Sequence, residues 1–373
     1  MTDPGGPTPS LSRARAGLLL LLLIVASGWR WQTAVREPTV KPDEAVYLAA
    51  ARLWSEGASP YQETIFFYTP FYAATAAWLI ENFGDLGFLQ IQRIASLLGI
   101  NVTAWLALLI AGWRFWPALV AGIAWLWLAP AVALPTELGN AVGLATALTL
   151  TAFYLWARYP LSAGASLGLG LAIKPIAALA PACFLAQAAS RADRSALRTG
   201  ISSAITGGLF LLVGARFLPG IFGNATGSAN PYNFSLQQVL SRFGLNVRPL
   251  WILLALGLAA VWWIYSRKLS EREFLVNAIT WNLLVTPILW AYSLLLLFPI
   301  QLLAVGRMAA WLRDRTSPRL PHLLAGLAIA STLFTETVGG LADAPSWLQG
   351  AALAMPLLSI GYLGYYTLGG SID

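Results

Sequence analysis

Apolar runs long enough to cross a lipid bilayer recur along almost the whole chain, from Gly17 to about residue 366. A helix needs about 20 predominantly apolar residues to traverse the hydrocarbon core. Charge is correspondingly scarce: 10% of the 373 residues are charged and 58% are hydrophobic, whereas a soluble domain carries roughly 25% charged residues. The chain therefore reads as an all-α polytopic membrane protein, with room for roughly 10–12 spans. Candidate spans are 16–34, 67–83, 89–111, 116–134, 139–157, 162–188, 199–217, 250–266, 274–290, 292–306, 321–339 and 347–366. Residues 1–15 read as a disordered cytoplasmic tail and 16–373 as a single transmembrane domain. Arg13 and Arg15 before an apolar run could open a signal peptide. Continuation of that run through Trp29 and Trp31 favours a retained signal-anchor.

Basic residues fall in short loops between the apolar runs, as the positive-inside rule expects for a multi-pass plasma-membrane protein. The net charge of +7 is thus accounted for without nucleic acid. With the N-terminus cytoplasmic, the arginines of 189–198, 267–273 and 307–320 also lie inside. On this count Arg114 and Arg158 fall outside, against the rule, either as exceptions or because a span near 112–158 is miscounted. Cys183 is the only cysteine and His322 the only histidine. That argues against a disulfide, a Cys-based metal site and a His-based catalytic triad. No nucleotide-binding or haem-attachment motif is present, and neither a cofactor nor a metal is expected.

Against this background one polar, aromatic island stands out. Lys41, Asp43, Glu44, Arg52, Glu56 and Glu63 cluster within a few turns, beside the first apolar run. Within 43–56, Val46, Tyr47, Ala50, Leu53 and Trp54 recur at helical spacing, which predicts an amphipathic helix on the membrane surface. Gly57 should end it, and Ser59-Pro60-Tyr61 should turn the chain back. Asp43 or Glu44 could take a proton from an acceptor hydroxyl, or either could be a solvated interfacial charge. A second long outer segment spans 218–249, and a pocket is expected where the two meet.

Three further patterns carry polar chemistry. Lys174 lies inside an apolar run, where a charge costs roughly 2.5–3.5 kcal/mol on insertion scales. Pro175 breaks the helix beside it, freeing carbonyls and opening a cavity; the lysine could bind a phosphate as a point charge or snorkel to an interface. Asn233, Ser235 and Arg242 follow, the last two on one face if helical, a pairing suited to phosphate or sugar. Thr286-Pro287-Ile288-Leu289-Trp290 with Tyr292 is the third. Glu137, Asn140 and Glu336 are additional polar groups in or near apolar runs.

Taken in order, these elements resemble the membrane mannosyltransferases of glycosyltransferase family 87. The resemblance rests on Asp43 with Val46-Tyr47, Gly57 and Pro60-Tyr61, then Phe67-Tyr68-Thr69-Pro70. Gly139-Asn140 is an imperfect match to the family's Gly-Gln. Lys174-Pro175, Asn233-Phe234-Ser235-Leu236 with Arg242, and Thr286-Pro287 with Trp290 complete it. It covers about residues 15–310. Relatives often carry a His after the Trp, where this chain has Ala291 and Tyr292. The resemblance implies a GT-C type fold and an outward-facing, inverting transfer of mannose or a related hexose from a polyprenyl-phosphate donor. The acceptor would be a lipid, glycan or protein. Asp43 would be the general base, and Lys174 and Arg242 would hold the donor phosphate. Glu44, Tyr47, Tyr61, Tyr68, Asn233, Ser235, Trp290 and Tyr292 would line the pocket. A transporter or flippase for a lipid-linked sugar or small solute is the rival reading.

Overall fold

A computed structural model describes residues 11–61, 66, 68–220, 233, 235–245, 253, 257, 270–286, 289, 291–314, 319–333 and 345–368. Everything regular among them is helical: α1 Arg13–Ala26, α2 Gly28–Arg36, α3 Pro42–Ser55, α4 Pro70–Ala111, α5 Phe115–Leu128, α6 Pro130–Leu138, α7 Val142–Leu155, α8 Pro160–Ile173, α9 Ala180–Arg191, α10 Arg194–Leu212, α11 Leu236–Arg242, α12 Glu271–Val285, α13 Phe298–Asp314, α14 Arg319–Leu333 and α15 Ser346–Thr367. Short 3-10 turns cover Ala215–Phe217 and Ala291–Leu297. Among the described residues, Pro70–Ala111 and Tyr292–Arg313 are long and apolar enough to cross a membrane. The pair α5 and α6, bent by 48°, makes a third if taken as one span. Most of the expected span 250–266, and Glu63, Phe67, Phe234, Pro287, Ile288, Trp290 and Glu336, lie outside the described residues.

Small residues set the close helix crossings. A Cβ added at Gly99 of α4 would overlap the Gly143 carbonyl of α7. Gly164 and Gly168 of α8 lie equally close to the Thr199–Gly207 stretch of α10. In lipid, where the hydrophobic effect does not draw helices together, such backbone approach supplies packing contacts.

Spans 67–83 and 89–111 fall in the two parts of α4, which breaks at Gly84, where the backbone leaves helical geometry (φ 73°, ψ 170°). Both ends of its first part are held against α3. Tyr72 packs edge-on against Tyr47, with ring centroids 5.4 Å apart, and Asp85 pairs with Arg52 at 2.7 Å. The stretch 70–83 therefore runs beside α3; 85–93 also lies along it, with Arg93 on Glu44, and the rest of α4 carries the chain away. Ser96 of α4 touches Asn140, so Ala111 lies about 22 Å further on, at 1.5 Å per residue. α5 returns the chain, and Lys41 donates to the Thr136 carbonyl at 2.7 Å. Glu137 thus sits at the α3 end of the bundle rather than the opposite one. α7 then leaves Asn140, and α8 comes back to Lys174. Arg114 and Arg158 consequently occupy the end far from α3.

Candidate functional site

The island forms helix α3, entered through Pro42 at its first turn and closed by Gly57 at φ 74°. Its buried face comprises Glu44, Tyr47, Leu48, Ala50 and Ala51. Val46, Leu53 and Trp54, expected on the apolar face, are only half-buried. The face is rotated because α3 packs on α4 and α6 and must seat a charge between them.

That charge is Glu44, fully buried. Arg93 of α4 grips it with two prongs, Nε to Oε1 at 2.6 Å and Nη2 to Oε2 at 2.6 Å. The Lys41 backbone N–H adds a third bond to Oε2 at 2.9 Å. Arg93 spends further donors on the carbonyls of Glu37 and Thr39, 2.6 and 2.7 Å away. A Cβ at Gly139 would overlap Glu44 Oε1, and Gly139 sits at φ +71°, so both space and backbone conformation call for glycine there. Glu44 is a structural anchor for the entry to α3.

Asp43 faces elsewhere. Its Oδ2 accepts a 2.6 Å hydrogen bond from Asn140 Nδ2. Asn140 is fixed between α6 and α7: Ser96 Oγ donates to its carbonyl at 2.6 Å, and its own Oδ1 accepts the Val142 N–H at 2.9 Å. The same Oδ1 accepts from Tyr68 Oη at 2.7 Å and from Lys174 Nζ at 3.3 Å. Tyr68 Oη in turn accepts from Tyr47 Oη at 2.8 Å and from Lys174 Nζ at 3.3 Å. Tyr61 Oη donates to the Tyr68 carbonyl at 2.7 Å. A carboxylate, a carboxamide, an ammonium and two phenols thus share one network.

Lys174 is 6% exposed. α8 ends just before it, and Lys174 itself is extended (φ −146°, ψ 120°), the conformation a following proline imposes. The carbonyls released by the break are not orphaned: Thr69 donates its hydroxyl to Ala172 and its N–H to Ile173. Nζ sits over the rings of Tyr68 and Tyr292, 4.5 and 4.3 Å from their centroids. Among the described residues no carboxylate lies within 4 Å of it, so its charge is held by ring faces and neutral oxygens. Tyr292 is therefore a wall of the lysine's cage.

Burial raises the Asp43 carboxyl above the ordinary carboxylate range, while the Asn140 hydrogen bond and the Lys174 charge pull against that rise. Burial likewise pushes the Tyr47 phenol up, which keeps it a neutral donor. No protein-family model matches this chain, and no curated protein sequence matches it.

Of the residues singled out from the sequence, Asp43, Tyr47, Tyr61, Tyr68, Lys174 and Tyr292 converge with Asn140. Asn233 lies nearby in the chain path, its Oδ1 accepting the N–H groups of Leu289 and Ser235 at 2.9 and 3.1 Å. Ser235 caps α11 by accepting from the Gln238 N–H. Arg242 ends α11 and lines a cleft bounded by Gln238, Phe243 and Trp347 rather than by Asp43 or Lys174. The two long segments do meet, at Tyr61 with Gly220. The polar network, however, is built from the island with residues 68, 140, 174 and 292. Sequence reasoning missed Arg93, Ser96 and Tyr72, and quoted Thr69 only as part of a motif. Arg93 had a signal, because an arginine inside an apolar run is costly without a partner. Among the described residues the buried Tyr72 hydroxyl has no hydrogen-bond partner.

Proposed function

We propose that the protein is an integral membrane glycosyltransferase. It moves mannose or a related hexose from a polyprenyl-phosphate donor to a hydroxyl of a lipid, glycan or protein acceptor. The reading is supported above all by one observation: Asp43 and Lys174, distant in sequence, are joined through Asn140 by hydrogen bonds of 2.6 and 3.3 Å. A base for an acceptor hydroxyl and a cation for a leaving phosphate need to stand that way, close but not neutralising each other.

In this mechanism Asp43 takes the acceptor proton as the acceptor oxygen attacks the anomeric carbon. The bond from that carbon to the phosphate oxygen breaks on the opposite face, so configuration inverts. Polyprenyl phosphate leaves with the electron pair, and the Lys174 ammonium stabilises the developing charge. Tyr47 and Tyr68 hold the network that fixes both groups. The geometry supports Lys174 in the phosphate role more directly than Arg242, whose cleft is walled by other residues.

Orientation follows from the arginines: with N-terminal Arg13 and Arg15 cytoplasmic, the α3 end faces outward. The roughly 10–12 spans of a GT-C arrangement belong to the same proposal, as does placement in the plasma membrane. Membranes containing the protein, given radiolabelled polyprenyl-phosphate-mannose and endogenous acceptor, should form labelled product. Movement of the intact donor across vesicles without product would establish the carrier reading instead, since a buried lysine at a helix break also suits a substrate pathway.

A further inference from the structure

Outside the Asp43 network, one cleft has the makings of a binding site. It opens between the end of α11 and the start of α15 and encloses about 450 Å³, within the usual range of small-molecule sites. Gln238, Ser241 and Arg242 supply its polar wall, and Phe243 and Trp347 its apolar one.

Gln238 is the telling residue. It is 6% exposed and borders the cleft, yet its side-chain carboxamide makes no hydrogen bond with any described residue. The carboxamide opens to the cleft, where it meets the needs of a ligand that brings both a donor and an acceptor. Trp347 presents an indole that is 61% exposed, and Phe243 a ring that is 48% exposed. The Phe243 ring is braced against α15, where a Cβ at Gly350 would lie 3.0 Å from it.

We infer that this cleft is a carbohydrate subsite. A pyranose offers an apolar C–H face and a rim of hydroxyls that donate and accept. The indole suits the face, while the carboxamide, the Ser241 hydroxyl and the Arg242 guanidinium suit the rim. A simple anion would leave the carboxamide oxygen and the aromatic rings unused. Asn233, anchored to Leu289 close to Tyr292 of the lysine cage, lies near the other end of α11. Seven residues of helix place the cleft about 10 Å from that end. Its assignment to the acceptor glycan rests on the proposed transfer reaction; its ability to bind sugar does not.

The test uses the full-length protein in detergent and saturation-transfer NMR with a panel of manno-, gluco- and galacto-oligosaccharides. At least one should bind. Trp347→Ala and Gln238→Ala should each weaken that binding tenfold or more, with melting temperature retained, and Asp43→Asn should leave it unchanged. If no panel member binds, or both cleft variants bind as the parent does, the subsite is refuted. Inorganic phosphate displacing the sugar competitively at lower concentration would also overturn it, in favour of an anion site. Sugar binding that persists while transfer is never observed would separate failure of the proposed reaction from failure of the subsite.

Discussion

Asp43 and Glu44 are consecutive carboxylates on one helix, and the protein treats them in opposite ways. About 100° of helix rotation separates their directions. Glu44 turns inward, where Arg93 and the Lys41 N–H together give it three hydrogen bonds. Asp43 turns toward Asn140, which takes one oxygen; its Oδ1 accepts nothing from any described residue. A carboxylate whose lone pairs are consumed by its own fold has little left for a substrate. One that is positioned by a single carboxamide and left open on the other side can accept a proton. Saturation, rather than burial or sequence context alone, distinguishes the anchor from the candidate base.

The sharpest way to break this contrast is at Asp43. Asp43→Asn should lower transfer by about 10²–10⁴-fold, the usual contribution of general-base catalysis, while detergent melting stays close to the parent's. Parent-like turnover in this variant would end the base assignment. The mirror-image experiment is Arg93→Ala. Leaving Glu44 as an unpaired buried charge should cost about 3–5 kcal/mol of stability, seen as a lower melting temperature and poorer yield. Transfer per folded molecule should fall far less than in Asp43→Asn. If the melting temperature is unmoved, Glu44 is not the anchor described.

A smaller effect is expected at the cation. Lys174→Ala should weaken donor binding about tenfold or more, roughly 1.4 kcal/mol, measured with a polyprenyl-phosphate competitor; an unchanged affinity removes the phosphate role. The finest probe is the pH profile of kcat/KM. A base is lost as pH falls through its pKa, so the acid limb reports Asp43. Asn140 lowers that pKa by hydrogen bonding to the carboxylate. Asn140→Ala should therefore move the acid limb to higher pH, and a shift to lower pH would contradict the network.

The sequence made the helical class and the island legible, because scarce charge and apolar run length act locally. Gly57 ended α3 as expected, and Pro175 ended α8 through the conformation it forces on Lys174. Asn140 was visible as a polar residue in an apolar stretch and as half of the imperfect Gly139-Asn140 match; its role needs the α4–α7 crossing at Gly99 and Gly143, which no local pattern encodes. The stretch 70–83 packs beside α3, and hydropathy alone does not distinguish such a protein neighbour from lipid. Equally, the amphipathic reading of α3 assigned Leu53 and Trp54 to the inner face, since a fully buried Glu44 is not something periodicity suggests.

The placement of Lys174 just after a broken helix also has a consequence for biosynthesis. When α8 leaves the ribosome, the segments bearing Asp43, Tyr47, Tyr68, Thr69 and Asn140 have already been made. The most costly residue to insert thus arrives after partners that can receive it: Thr69 for the opened backbone, and Asn140 with Tyr68 for the ammonium. Tyr292 is synthesised later and supplies the second ring. A nascent chain halted between α9 and α12 would hold carboxylate and ammonium with one side of the cation uncovered, so completion of this site is tied to completion of the chain through Tyr292.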